Sequence, residues 1–250
     1  MRLASIALLL NLFFPVAALA EDVLKDPPRE SFILLPLHVH ILSCNDQEDL
    51  DCKLTDDDIQ RVIGKVNGVW HKAGIHFRIE SLLHEKAVGA QEFARAKAEK
   101  KAHDEPMSLG AYRAVAPLET LALPGLHVYY IHRFAVNGVF LGQGICFVQE
   151  TAHLREVEGG IDEPLPRVSS HELGHALGLP HRQNTTNLMA SGTTGILINE
   201  AEAKVVRKKA KEISGAMTVA ECEKAIEETR AKGTEERAKM LQAALDALPK

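Results

Sequence analysis

The sequence predicts a mixed α/β fold, α+β in character, and three observations carry that prediction. Residues 31–83 read strand, helix and strand in succession, two more strand-like stretches lie at 126–134 and 138–151, and the chain from about 198 onward has helical character. Strand–helix–strand order favours a parallel pair joined by a crossover. At 250 residues, 46% hydrophobic and 25% charged, the chain is long enough to bury a sizeable core.

The first twenty residues, MRLASIALLLNLFFPVAALA, place Arg2 before an apolar run that ends in small residues. This is the pattern of a secretory signal cleaved after Ala20, so the protein is expected to be exported, either secreted or periplasmic. Asn11 and Pro15 interrupt the run, which is short for a bilayer span, and no later segment is apolar enough to cross one. No stable membrane insertion is expected after cleavage. The net charge of −5 is spread along the chain without a basic block, which excludes nucleic acid as a partner.

Pro27 and Pro28 make residues 21–30 an extended lead-in. SFILLPLHVHIL (31–42) reads as a buried strand, with His38 and His40 on one face as satisfied strand histidines. Thr55 is placed to cap a helix whose first turn holds Asp56 to Asp58 and whose apolar residues recur from Ile59 to Trp70. Gly74 closes it, and IHFRIESLL (75–83) alternates as a strand. Residues 85–104 are Ala-, Lys- and Glu-rich and predict a helix. LHVYYIHRF (126–134) is a strand, and GVFLGQGICFVQET (138–151) is a glycine-punctuated one that something must approach closely. Export favours disulfides among Cys44, Cys52, Cys146 and Cys222. Proximity suggests Cys44–Cys52, leaving Cys146 with Cys222, although three pairings are open.

SSHELGHALGLPH (169–181) concentrates the chemistry. On a helix, His171 and His175 project from one face a turn apart, within reach of one tetrahedral ion, and Ser169 or Ser170 is placed to cap the start. Glu172 is rotated off that line, positioned to act on a metal-bound water rather than to ligate. Gly178 suits a left-handed helix end, which would swing His181 back as a third nitrogen donor. Three neutral imidazoles leave an open position, as in a catalytic rather than structural zinc site. HExxH alone is short enough to arise by accident. Its extension to His181, with Met189 eight residues further on, makes the signal specific.

HELGHALGLPH followed by a methionine turn resembles the metzincin zinc endopeptidases, and the short His181-to-Met189 spacing is most similar to their matrixin branch. The resemblance implies one catalytic Zn2+ on His171, His175 and His181, with Glu172 as the general acid/base of peptide-bond hydrolysis by zinc-activated water. It also implies Met189 in a turn beneath the metal, a twisted mixed sheet backed by helices, and a polypeptide substrate. Part of 138–150 would be the edge strand to which that substrate adds. The expected organisation is a signal peptide (1–20), a metzincin-like protease domain (21–215) and a smaller helical C-terminal extension (216–250). Arg182 stands where matrixins carry serine, no cysteine-switch propeptide precedes the first strand, and Asp22 or Asp26 is the nearest candidate to reach the zinc from the lead-in. His127, His132 and His153 lack the spacing of a second zinc loop. Two other readings compete: a zinc-binding but catalytically silent adhesion or scaffold module, and a hydrolase of cell-wall amides.

Overall fold

The computed structural model describes residues 24–103 and 108–249. The expected signal sequence and Asp22 lie outside the described residues. Strands β1 (Ile33–Ser43), β2 (Ile75–Lys86), β3 (Leu126–Ile131), β4 (Gly138–Phe140) and β5 (Ile145–Gln149) form a sheet in the order β2-β1-β3-β5-β4. All neighbours are parallel except β4 and β5. A short β6 (Met217–Thr218) pairs antiparallel with Ile33 and Leu34 of β1. The sheet is therefore mixed, as expected.

Helix α1 (Asp56–Trp70) begins with a capping box in which Thr55 accepts from the Asp58 amide. It connects β1 to β2 and lays Ile59, Val62, Ile63 and Val66 on the sheet. Odd-numbered residues of β1, from Ile33 to Ile41, face this side, together with α5 (Pro164–Ala176) and α6 (Glu200–Ala210). The other face is covered in two pieces. Leu42, Tyr129 and Phe147 pack with Phe93 of α2 (Ala90–His103) and Tyr112 of α3 (Leu109–Arg113), close to the short α4 (Leu118–Leu121). Phe32 and Leu34 pack with α7 (Val219–Ala231) and α8 (Glu235–Asp246). The C-terminal helices thus dock on the same sheet as the rest of the chain. Among the described residues no helix is long and apolar enough to cross a membrane.

Three expectations about elements need correction. The stretch 138–151 is two strands, because Gly142, Gln143 and Gly144 all take positive φ and reverse the chain between them. The helical reading of 85–104 begins late, since β2 runs on to Lys86 beside β1. Helix α5 starts at Pro164, whose fixed φ suits a first helical position, so Ser169 and Ser170 lie inside it rather than at its cap. Ser169 Oγ instead donates to the Leu165 carbonyl and pairs with the Tyr130 hydroxyl.

All four cysteines are free. Cys146 faces the α1/α5 side of the sheet, whereas Cys222 is buried under α8 on the opposite side, so the sheet separates the expected pair. Cys52 is turned into the first cluster and bonds Glu150, while Cys44 packs against the second.

His38 and His40 are satisfied strand histidines, as read from the sequence. His38 bonds Ser81 and the Pro124 carbonyl. His40 spans Glu85 at 2.6 Å and His127 at 3.0 Å, and His127 reaches the Leu123 carbonyl. That carbonyl requires a proton on His127 Nε2, so His40 must donate through Nε2. Its Nδ1 and the Glu85 carboxyl then share one proton. Burial raises the Glu85 carboxyl and pushes His40 down to about 3.

His76 on β2 is buried, and burial alone pushes its imidazole down to about 4. The unfolded chain therefore takes up this proton first, and stability is lost as pH falls from about 6.5 towards 4. The slope is about 1.4 kcal/mol per pH unit. Urea midpoints measured across this range should fall accordingly, and His76→Leu should flatten the profile by that slope.

Candidate metal centre

Helix α5 delivers His171, Glu172 and His175 to the floor of a cleft of about 610 Å³. The helix ends in a left-handed turn: Gly178 takes φ 88°, its amide bonds the His175 carbonyl, and the Leu179 amide bonds the Gly174 carbonyl. Such a Schellman turn reverses the chain at once and brings His181 back over the helix. Its Nε2 lies 3.1 Å from that of His175, which is 3.2 Å from that of His171. The three nitrogens form the group of potential metal donors found among the described residues.

Second contacts determine the tautomers. His171 Nδ1 faces the Leu188 carbonyl at 2.9 Å, and His175 Nδ1 faces the Leu179 carbonyl at 2.8 Å. A carbonyl only accepts, so both Nδ1 atoms carry the proton and both Nε2 lone pairs point at each other. Burial also pushes His171 down to about 3 and lowers His175, keeping both neutral. Facing lone pairs at this distance repel unless a cation lies between them. Donor bonds of 2.0–2.1 Å to one tetrahedral ion would separate nitrogens by about 3.3 Å, so the donor set fits zinc in both chemistry and spacing. Hydrogen bonds from Nδ1 to carbonyls are also the usual way a ligating imidazole is held in orientation.

Glu172 is buried at the edge of the cluster, and burial pushes its carboxyl up to about 8, against the pull of Arg167 and of the Phe140 backbone. A divalent charge beside it acts in the opposite direction and favours the carboxylate. The edge strand β4 forms the opposite wall of the cleft, and Phe140 stacks towards His175 with ring centroids 6.5 Å apart. Asp26, by contrast, pairs with His71 and Lys72 rather than with the cluster. His132 binds Glu150, His127 belongs to the His40 chain, and His153 is exposed.

Met189 is fully buried, and its sulfur packs on Gly174 of the helix. A Cβ at residue 174 would lie 2.6 Å from that sulfur, a contact that glycine, the fourth residue of HELGH, avoids. Gly174→Ala should cost about 1–3 kcal/mol in overpacking and weaken metal binding, read by thermal melting and by zinc titration.

Sequence reasoning missed the group that holds this turn. Glu202 of α6 is 1% exposed; it accepts from Arg182 Nε at 2.7 Å, from Asn187 Nδ2 at 2.9 Å and from the Asn199 amide at 3.0 Å. Asn187 Oδ1 in turn accepts from the Met189 amide, and the Arg182 amide bonds the Met189 carbonyl. Arg182, unexpected in a matrixin-like motif, thus anchors the segment after His181. N-E-A-E at 199–202 is readable as a capping box, but nothing local shows that its glutamate reaches Arg182.

Fold and site together define a mixed α/β protein with a three-histidine, metal-type centre at the foot of a cleft. No protein-family model and no curated protein sequence matches the chain. Distant likenesses exist among solved structures. Archaemetzincin from Methanopyrus kandleri is 15% identical with a TM-score of 0.44, over 74% of this chain and 98% of that one. Metalloproteinase-II from Bacteroides fragilis is 14% identical with a TM-score of 0.35, over 75% and 56%. A zinc-dependent peptidase from Methanocorpusculum labreanum is 11% identical with a TM-score of 0.30, over 68% and 92%. The reading of the site rests on its own geometry.

Proposed function

We propose that this chain is an exported zinc endopeptidase of metzincin type, closest in its motif to the matrixin branch. The observation that carries the reading is the pair of facing Nε2 lone pairs on His171 and His175, with His181 closing the set and Glu172 beside it. His171, His175 and His181 would hold the ion. Bound zinc supplies Lewis acidity, lowering the pKa of water and polarising a carbonyl. Glu172 takes the proton of the attacking water on its carboxylate and returns it to the leaving amine. β4 ends the sheet order, and an extended polypeptide adds beside it, aligning the cleaved bond over the cluster. The apolar residues of the cleft, Val136, Val139 and Val168 among them, exclude bulk water from the carboxylate.

The test is the purified protein on a denatured protein substrate, with and without a chelator. Hydrolysis that stops on chelation and returns with zinc is expected. Hydrolysis indifferent to chelation would sink the proposal, as would a zinc-loaded protein that cleaves nothing.

A further inference from the structure

Arg167 stands one helical turn before His171 on α5, lines the same cleft and is 1% exposed. Its Nε donates to the Gly195 carbonyl at 3.0 Å, and its Nη2 to the carbonyls of Ala190 at 2.5 Å and Asn187 at 3.5 Å. Nη1 makes no hydrogen bond among the described residues, and no carboxylate there lies within ion-pair distance of the guanidinium. A buried cation costs several kcal/mol in lost hydration, and neutral carbonyls repay only part of it. The three carbonyl contacts tether the 187–195 segment through Nε and Nη2 and leave Nη1 over. Glu172 acts on the guanidinium only from beyond ion-pair distance, so the charge lacks a direct partner.

The lining of the cleft around Arg167 is apolar, with Val136, Leu154 and Val168, and the acidic side chain that lines it is Glu172, the proposed general base. We propose that Arg167 selects the substrate, pairing with a glutamate side chain within two residues of the cleaved bond; this rests on the endopeptidase reading. One turn of helix advances about 5.4 Å, somewhat under two residues of extended peptide, which sets that position. Glutamate fits better than aspartate because so deeply buried a guanidinium must be reached by the longer side chain. With Nε and Nη2 held by carbonyls, Nη1 is the nitrogen left to meet that carboxylate, and the water-poor site makes charge decisive over shape.

The test compares Glu with its neutral isostere Gln. A randomised peptide library is affinity-selected on the zinc-loaded Glu172→Gln protein, which requires no turnover. Enrichment of Glu over Gln by at least tenfold at one position is expected, and it should vanish with Arg167→Met added. Arg167→Lys, which keeps the charge without the fork, should retain part of the preference. That variant, with the Glu/Gln ratio on the Arg167 protein, keeps the test decisive if the methionine variant does not fold. Equal recovery of Glu and Gln peptides, or a Glu preference that survives Arg167→Met, overturns the proposal. Failure of the unsubstituted protein to hydrolyse any peptide counts against the endopeptidase reading, and the selection still returns its own answer.

Discussion

Glu172→Ala is expected to lower peptide-bond hydrolysis by about 10²–10⁴, the range for loss of a positioned general acid/base. Metal content should be unchanged, because the donors are His171, His175 and His181 and their orientation depends on the Leu188 and Leu179 carbonyls. Thermal stability should not fall either. Glu172 is a desolvated carboxyl that burial drives towards its neutral form, so the fold gives up no ion pair with its removal. The measurement pairs kcat/KM on a peptide with zinc content and a melting curve. Residual hydrolysis near the unsubstituted rate, with zinc still bound, would remove Glu172 from the chemistry. The same outcome would favour a mechanism with its base elsewhere in the cleft.

Glu202→Ala should destabilise the protein by about 3–5 kcal/mol, the cost of breaking a buried, hydrogen-bonded charge network from one side. Arg182 loses its ion pair, Asn187 loses the acceptor for its amide, and Asn199 loses half of its capping box. Asn187 then holds Met189 less firmly, and Arg182 no longer fixes the chain beyond His181. Zinc affinity should therefore fall by about 10–100-fold, as when an outer partner of a ligating histidine is lost. Urea denaturation and competitive zinc titration read the two effects separately. A large loss of stability with unaltered zinc affinity would show that His181 is positioned without this network.

The two predictions differ in how much of their basis is local. His171, Glu172 and His175 are adjacent on one helix, and four-residue spacing puts two ligands on one face whatever surrounds it. Gly178 is legible for a related reason: a left-handed residue is needed to stop the helix and return the chain, and glycine takes that conformation at no steric cost. The Thr55 cap and the parallel β1–α1–β2 unit were readable on the same grounds, since capping and periodicity act within a few residues.

Other features depended on partners far along the chain. The hairpin of β4 and β5 is hidden in a single apolar run, because its turn residues resemble strand interruptions until pairing with β3 sets the register. Disulfides were expected from export and cysteine number alone, but which face of a sheet a thiol occupies is decided by packing. By itself the sequence determined a helix bearing two ligands and a carboxylate, followed by a turn able to return a third imidazole. Only the tertiary structure decided that carbonyls of Leu188 and Leu179 set the imidazole tautomers, that Glu202 anchors Arg182, and that Arg167 enters the cleft as an unpaired charge. The reason is one of range: helix geometry and capping are fixed by neighbours a turn away, whereas tautomers, buried charges and cleft walls are fixed by groups that only folding brings within hydrogen-bonding distance.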